Sequence, residues 1–274
     1  MNDNDIKKLL IINDITGYGR VSTFAMLPIM AKYGLHPYIL PTSLVSNTMD
    51  YGDCEILETT EFIEKTLKQW SNFGFKFSSI ATGFINSAKQ ADIIYSFIEE
   101  TKPELLIVDP IMADSGVLYP NMNPDSINYY KKIISISDIC IPNLTEARLL
   151  TESKTTNKYT NDDELLQITN KLMKIGCKNI VITDCSDIEN KSFNYIYDQS
   201  SSKSIKIYFE KLPSKFIGTG DVFSAMLISE TLLGAKLQEA VSTASDFVAK
   251  VIKDNADNDD NYDLIIEKSL EYIK

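Results

Sequence analysis

The stretch KFIGTGDVFSAMLI, residues 215 to 228, places two glycines around Thr219 and an aspartate directly before a long apolar run. The apolar run predicts a helix, so the glycines lie at its N-terminus. Backbone N–H groups in such a turn point in one direction, and with the helix dipole they form a site for an anion such as a phosphoryl group. Asp221 could accept a proton from a hydroxyl group that attacks phosphorus. Alternatively, Gly218 only forms a tight turn and Asp221 only caps the first helical turn.

Around this stretch, short apolar and β-branched segments alternate with longer segments of helical period. The expected strands span residues 7–13, 36–42, 76–83, 104–110, 137–143 and 177–184. The expected helices span residues 20–34, 61–74, 89–102, 124–135 and 162–176, with others beginning at Thr145 and Thr219. An antiparallel pair is expected at residues 192–198 and 203–212. This alternation is typical of an α/β fold with a mostly parallel sheet, and because no linker interrupts it, we expect a single domain over residues 1–274.

Composition excludes several classes of protein. The chain has 274 residues, 44% of them hydrophobic, and a net charge of -11 with no basic run. These values argue against nucleic acid or an anionic membrane surface as the main partner. The apolar run after the polar N-terminus is too short for a signal segment or a membrane span, so we expect a cytoplasmic protein. Four cysteines without a CxxC pair predict buried thiols, and the single histidine, His36, argues against zinc sites and histidine-dependent hydrolases.

Polar residues follow most of the predicted strands, and ligands of open parallel sheets bind outside the carboxyl ends of the strands. This rule selects Asn13 with Asp14, Thr42 with Ser43, Gly83 with Phe84, Asp109 with Asp114, Asn143 with Glu146, and Thr183 with Asp184. Asp109 and Asp114 suit Mg²⁺ or a monovalent cation, although Asp-Pro is also an ordinary end of a strand. Thr145 fits the N-cap of a helix with Glu146 in its first turn, so these two residues could serve only capping.

Two common nucleotide-binding motifs are absent. NDITGYGR, residues 13 to 20, lacks the GxGxxG spacing of a dinucleotide fold, and no GxxxxGK[ST] segment occurs anywhere in the chain. If this protein transfers phosphoryl groups, it is therefore not a P-loop enzyme.

Taken in order, PTSLVSNTMDYG, TGF, VDPIM, IPNLTEA, VITD and GTGDVFSA resemble the pyridoxal kinases of the ribokinase-like superfamily. The resemblance runs from about Leu9 to about Lys250, and NDITGYGR is most similar to the bacterial pyridoxamine or pyridoxal kinases. It implies a ribokinase-like three-layer α/β/α sandwich with a mostly parallel central sheet, and a homodimer. It also implies transfer of phosphate from ATP to the 5′-hydroxymethyl group of pyridoxal, pyridoxamine or pyridoxine, with Mg²⁺ and a monovalent cation, K⁺, as cofactors.

The resemblance further implies a role for each matching residue. Asp221 would be the catalytic base, and the backbone of Gly218, Thr219 and Gly220 would form the anion hole for the γ-phosphate. Residues on the nucleotide and metal side would be Asp109, Asp114, Asn143, Glu146, Thr183 and Asp184, with Asp109, Asp114 and Glu146 as metal ligands. Residues on the vitamer side would be Asn13, Ser43, Thr48 and Phe84, within or near a substrate-covering segment at residues 43–52. Asn13 and Phe84 stand where these kinases commonly have serine and tyrosine.

Other functions stay open at this point. A hydroxymethylpyrimidine kinase of thiamine synthesis would use a similar scaffold, but these enzymes often carry cysteine at the position of Asp221. A sugar or nucleoside kinase would usually have a longer lid than SLVSNTMDYG. A catalytically silent vitamer-binding protein would not need Asp221, the two glycines, Asn143 and Glu146 together.

Overall fold

The computed structural model describes residues 8–212, 216–257 and 262–273. The chain divides into two compact units, the first within Met1–Ile85 and Lys211–Lys274 and the second within Asn86–Glu210. Both units combine helices with strands, and most strand pairs of the central sheet are parallel, so the α/β class predicted from the sequence is confirmed. The expectation of a single domain stays a prediction. No helix within the described ranges is long and apolar enough to cross a membrane.

The elements follow one another in the order expected from the sequence. The strands are β1 (Leu9–Tyr18), β2 (Tyr38–Asn47), β3 (Ile56–Glu58), β4 (Ser79–Thr82), β5 (Leu105–Val108), β6 (Ala113–Asp114), β7 (Val117–Leu118), β8 (Ile139–Cys140), β9 (Asn179–Ser186), β10 (Ser192–Asp198) and β11 (Lys203–Phe209). The α-helices are α1 (Ser22–Lys32), α2 (Thr60–Asn72), α3 (Ala88–Thr101), α4 (Asp125–Ile134), α5 (Leu144–Leu150), α6 (Asp162–Ile175), α7 (Thr219–Leu232) and α8 (Leu237–Asp254). Short 3-10 helices span Met49–Tyr51 and Ile266–Tyr272.

In the first unit, the strand order is β3-β2-β1-β4, with β1 parallel to both β2 and β4 and with β3 antiparallel to β2. The start of β1, Leu9 to Ile12, is fully buried, as expected for a central strand with a continuous apolar sequence. Helix α7 is apolar on most sides and is buried from Val222 to Ser229. It lies against α1, and the Tyr33 hydroxyl after α1 donates to Glu230 of α7.

In the second unit, the strand order is β5-β8-β9-β10-β11. Strands β5, β8 and β9 are parallel, whereas β10 is antiparallel to both β9 and β11. The antiparallel pair predicted at residues 192–198 and 203–212 is therefore confirmed. The short hairpin β6–β7 was not expected, because two-residue strands carry too little periodicity to be recognised.

The first two strands continue beyond the ends expected from the sequence. Strand β1 was expected to stop at Asn13 and β2 at Thr42, but pairing continues from Ile15 with Leu44 to Tyr18 with Asn47. The register shifts between Asn13 and Ile15, where Asp14 lies opposite two residues of β2, Thr42 and Ser43, and this bulge in β2 allows the pairing to continue. This extension brings the segment after Asn13 alongside the segment that was predicted to cover the substrate.

Candidate active site

The glycine turn predicted from GTGD lies at the N-terminus of α7. Gly218 is the N-cap with a φ of 80°, which is a left-handed conformation that favours glycine. Thr219 is the first residue of α7, Gly220 is exposed, and Asp221 lies in the first turn. A Cβ on Gly220 would meet no atom within 4 Å. The structure thus places the four predicted residues together, with open space beside exposed backbone at the positive end of a long helix dipole.

Gly218 is also required by a close contact. A Cβ at this position would lie 2.4 Å from the carbonyl oxygen of Arg20, a backbone atom that cannot move independently. Gly234, just after α7, also has positive φ, at 93°, but a Cβ there would meet nothing within 4 Å. Replacement of Gly234 therefore tests the energetic cost of a left-handed backbone alone, whereas replacement of Gly218 tests that cost together with steric overlap.

We expect Gly234→Ala to lower the free energy of unfolding by about 1 kcal/mol through backbone strain alone. Gly218→Ala adds the clash with Arg20, so the free energy of unfolding should fall by about 2 to 3 kcal/mol. Displacement of the turn should also lower ATP turnover about tenfold. Denaturant titration and steady-state kinetics measure both quantities. Equal stability losses for the two variants would contradict the role of the Arg20 contact.

Asn13 and Phe84, two of the predicted vitamer-side residues, are in direct contact. Asn13 is buried in β1 just before the register shift, and its Oδ1 accepts a hydrogen bond from the Phe84 backbone N–H at 2.8 Å. Its Nδ2 lies 3.8 Å from the sulfur of Met26, which is a weak acceptor. Asn13 therefore fixes the backbone where Phe84 follows β4 and keeps an amide group with little competition from protein acceptors.

Ser43 and Thr48, the other predicted vitamer-side residues, carry buried hydroxyl groups. Ser43 is 0% exposed and Thr48 is 7% exposed, and neither hydroxyl has a hydrogen-bond partner among the described residues. The Thr82 hydroxyl at the end of β4 is also buried and has no hydrogen-bond partner among the described residues. Buried polar groups of native proteins are almost always paired, so these three unpaired hydroxyls are candidates to contact a bound molecule. Thr82 was missed by sequence reasoning, although it directly precedes Gly83 in the TGF motif.

Asp14 was selected from the sequence with Asn13, as a polar residue after the first strand, but was given no specific role. Burial raises the pKa of its carboxyl group, while hydrogen bonds from Ser22 and Thr16 oppose this shift. The Thr23 hydroxyl donates to the Asp14 carbonyl at 2.7 Å. Asp14 therefore links β1, at the point where its register with β2 shifts, to the start of α1.

Asn143 and Glu146 form the capping box of α5. Asn143 Oδ1 accepts from the Glu146 backbone N–H, and Glu146 Oε2 accepts from the Asn143 N–H, both at 2.9 Å. Glu146 Oε1 accepts from the N–H groups of Met112 at 3.0 Å and Ala113 at 3.3 Å. The prediction that Thr145 is the N-cap is wrong. Asn143 occupies that position, and the Thr145 hydroxyl instead accepts from the Gly116 N–H.

The carboxyl group of Glu146 is buried and lies near a second negative charge, that of Asp109. Burial, followed by the negative charge of Asp109, raises its pKa well above the usual value, and the three backbone N–H donors only partly oppose this. Two neighbouring carboxylates, of which Glu146 has a raised pKa, are favourable ligands for a cation, which would neutralise both. Asp109 and Glu146 therefore fit Mg²⁺, which in phosphoryl-transfer sites is typically held by one or two carboxylates, water and phosphate oxygens.

Asp114 is placed differently from the other two predicted metal ligands. It is exposed, and its Oδ1 accepts from the Ser115 backbone N–H at 2.7 Å within the β6–β7 turn. Across the described part of the chain, no group of three or more His, Cys, Asp or Glu side chains could hold a metal ion. A magnesium ion bound by Asp109 and Glu146 would thus need phosphate oxygens and water to complete its ligand shell.

Thr183 and Asp184 lie beside the N-terminus of α5. Thr183 forms a parallel bridge with Asn143, and its N–H donates to the Pro142 carbonyl at 3.0 Å. Asp184 is exposed and has a φ of 54°. Cys185 is fully buried, in agreement with the prediction of buried thiols, and burial strongly raises the pKa of its thiol. The predicted nucleotide-side residues thus lie in the second unit, and the predicted vitamer-side and catalytic residues lie in the first.

The parallel strands, their polar carboxyl ends and the glycine turn before a buried helix define the ribokinase-like α/β class. A family model described as phosphomethylpyrimidine kinase matches residues 25–264. The chain belongs to this family.

Curated relatives include both vitamin kinases considered from the sequence. The chain is 25% identical over 252 residues to the pyridoxine/pyridoxal/pyridoxamine kinase of Bordetella avium, covering 86% of this chain and 81% of the relative. It is 27% identical over 177 residues to the pyridoxal kinase of Ovis aries, covering 57% of this chain and only 54% of the relative. It is 22% identical over 263 residues to the hydroxymethylpyrimidine/phosphomethylpyrimidine kinase of Aquifex aeolicus, covering 93% and 99%.

A solved structure is similar over the whole chain. A candidate phosphomethylpyrimidine kinase from Bacteroides thetaiotaomicron has a TM-score of 0.93 at 27% identity, covering 100% of this chain and 96% of that one. A second crystal form of that protein, with pyridoxal, has a TM-score of 0.90 at 28% identity, covering 97% and 95%. The predicted membership of the pyridoxal kinase group of ribokinase-like proteins is confirmed by these relatives.

Proposed function

We propose that this protein is an ATP-dependent kinase that phosphorylates the 5′-hydroxymethyl group of a B6 vitamer. The observation that carries the proposal is the N-terminus of α7, where left-handed Gly218, open Gly220 and Asp221 lie together. This arrangement supplies an anion hole and a carboxylate for a reacting hydroxyl group. The pyridoxal kinases among the relatives and the pyridoxal in the Bacteroides structure support a pyridine vitamer as the acceptor.

In the proposed mechanism, the backbone N–H groups of Gly218, Thr219 and Gly220 stabilise the negative charge on the transferred γ-phosphoryl group. Asp221 accepts the proton of the 5′-hydroxyl as its oxygen attacks phosphorus in line, and ADP leaves from the opposite side. No covalent enzyme intermediate is needed. Mg²⁺ held by Asp109 and Glu146 would neutralise phosphate charge. Positioning and charge compensation supply most of the rate enhancement.

The remaining predicted residues take binding roles in this proposal. Asn143, Thr183 and Asp184 lie together near the N-terminus of α5, where they would contact the nucleotide and a monovalent cation such as K⁺. Asn13, Ser43, Thr48 and Phe84 would contact the pyridine ring and its substituents. A homodimer is proposed from the resemblance alone.

A hydroxymethylpyrimidine kinase is the second candidate function. The description of the family model and the Aquifex aeolicus relative favour it. Both acceptors have a hydroxymethyl group on a nitrogen heterocycle, so the anion hole and Asp221 would serve either reaction.

An acceptor panel tests the proposal against this alternative. ADP release from MgATP with K⁺ would be measured with pyridoxal, pyridoxamine, pyridoxine, hydroxymethylpyrimidine and ribose. We expect the highest kcat/KM with a pyridine vitamer. Turnover with hydroxymethylpyrimidine alone would assign the protein to the second candidate, and binding of a vitamer without turnover would support a silent binding protein.

Ser43→Ala is expected to raise the KM for pyridoxal about five- to tenfold, because the unpaired hydroxyl loses its hydrogen bond to the vitamer. The melting temperature should stay the same or rise, since a buried unpaired hydroxyl destabilises the free protein. Thr231→Val is the matched control, because the Thr231 hydroxyl is also unpaired among the described residues but lies near the far end of α7, about 18 Å along the helix from Thr219. An unchanged KM in Ser43→Ala would remove Ser43 from the binding site.

A further inference from the structure

Three tyrosines that are far apart in sequence meet in the first unit. Tyr18 ends β1, Tyr51 ends the 3-10 helix of the substrate-covering segment, and Tyr262 lies near the end of the chain. The rings of Tyr18 and Tyr51 pack edge to face at 5.1 Å, and those of Tyr51 and Tyr262 pack in the same way at 5.5 Å. Each ring remains partly exposed, with exposures of 56%, 36% and 42% in that order. The contacts are thus specific but open to solvent.

Asp263 joins two of these segments by hydrogen bonds. Its Oδ1 accepts from the Arg20 backbone N–H at 3.2 Å, which anchors the turn after β1. The same carboxylate interacts with the Tyr51 hydroxyl through a side-chain hydrogen bond and through its charge. Burial and the negative charge of Asp263 both raise the pKa of Tyr51. Asp263 therefore holds the covering segment to the turn after β1.

The same short stretch also reaches the glycine turn. The Tyr262 carbonyl accepts from the Ile217 N–H at 3.0 Å, directly before Gly218. The Gly218 backbone in turn packs on the carbonyl of Arg20, whose N–H is held by Asp263. Two adjacent residues, Tyr262 and Asp263, therefore contact the covering segment, the turn after β1 and the anion hole.

The covering segment also packs directly against the turn after β1. A Cβ on Gly19, whose φ is 121°, would lie 2.4 Å from Thr48 Cγ2, and the Thr48 N–H donates to the Tyr18 carbonyl at 3.1 Å. Any displacement of residues 18–20 would therefore move Thr48, a proposed vitamer contact. The position of the covering segment depends on how firmly Asp263 holds this turn.

We propose that Tyr262 and Asp263 form a C-terminal latch that positions the substrate-covering segment over the acceptor, with Asp263 as its key positioning residue. This inference rests on the proposed kinase function and assigns no chemistry to Asp263. The latch consists of solvent-exposed ring contacts and three hydrogen bonds, two to Asp263 and one to the Tyr262 carbonyl, so it can open for substrate entry and close at modest cost. Loss of the latch should weaken acceptor binding, because the covering segment would be in the closed arrangement in a smaller fraction of the protein molecules.

The test compares Asp263→Ala with Asp263→Asn, which keeps an oxygen acceptor for Arg20 and Tyr51. Loss of these two hydrogen bonds should raise the KM for pyridoxal about tenfold and the KM for MgATP by less than about three-fold, since the anion hole contacts only the γ-phosphate and the other proposed nucleotide residues lie in the other unit. Asp263→Asn should restore most of the loss, and Tyr51→Phe should reproduce part of it. Glu267→Ala is the control, because it removes only an exposed ion pair with the Arg20 side chain.

Hydrogen exchange supplies a readout that does not depend on activity. In Asp263→Ala, amides in residues 43–52 and 217–222 should exchange about fivefold faster than in wild type, while those in α8 stay unchanged. If wild type phosphorylates no vitamer, the proposed function fails while hydrogen exchange still tests the latch. Unchanged exchange in these segments, or an equal rise in both KM values, would overturn the latch.

Discussion

Replacement of Asp221 by Asn is expected to lower kcat by about 10²- to 10⁴-fold, the usual range for loss of a general base in proton transfer. Asn has the same shape as Asp but cannot accept the proton of the attacking hydroxyl group. Because Asp221 lies in the first turn of α7, the variant also loses a favourable interaction with the helix dipole, worth about 0.5 kcal/mol. The fold should therefore remain intact while turnover nearly disappears.

Steady-state kinetics with MgATP and pyridoxal, together with calorimetric titration of the nucleotide, measure this effect. The dissociation constant for MgATP should change by no more than about threefold, because loss of the base affects the transition state rather than ground-state binding. Asp246→Asn is a matched control, since Asp246 is an exposed aspartate on the neighbouring helix α8. Near-normal kcat in Asp221→Asn would remove Asp221 from the mechanism.

Glu146→Ala should destabilise the protein by about 3 to 5 kcal/mol, because three buried N–H groups, those of Met112, Ala113 and Asn143, lose their acceptor. Removal of the carboxylate also opens the capping box of α5 and removes a proposed magnesium ligand. ATP turnover should therefore fall together with stability, even at temperatures where the variant remains folded.

Two comparisons separate the causes of this loss. Glu146→Gln keeps the side-chain volume and one oxygen acceptor and removes the repulsion with Asp109, so its stability should lie between those of wild type and Glu146→Ala. Glu152→Ala removes an exposed glutamate paired with Lys131 in the same unit and should change the free energy of unfolding very little. Chemical denaturation measures the free energy of unfolding of all three variants. Equal losses for Glu146→Ala and Glu152→Ala would contradict the importance of the buried acceptor.

Most of the fold could be predicted from the sequence because its signals are local. Strand β1 begins with LLII and is buried at each of these residues, and α6 begins at Asp162 as expected. The continuation of β1 and β2 could not be predicted, since it depends on a bulge in β2 opposite Asp14 and on pairing between residues about thirty positions apart. Pairing register at such a distance leaves little trace in one strand alone.

The candidate site was predictable to the extent that its residues are adjacent in sequence. Gly218, Thr219, Gly220 and Asp221 lie together because they are consecutive. The capping role of Asn143 was missed because Thr145 offered an equally acceptable cap two residues later. The contact of Asp263 with the turn after β1 joins residues more than two hundred positions apart, and no sequence pattern indicates it.

The most direct test of the proposed activity is product analysis after incubation of the wild-type protein with MgATP, K⁺ and pyridoxal. We predict one equivalent of pyridoxal 5′-phosphate for each ADP, identified by mass and by separation from pyridoxal, and no product with Asp221→Asn on the same timescale. ADP formation without a phosphorylated vitamer, or product formation that persists in Asp221→Asn, would contradict a kinase in which the GTGD turn performs the transfer.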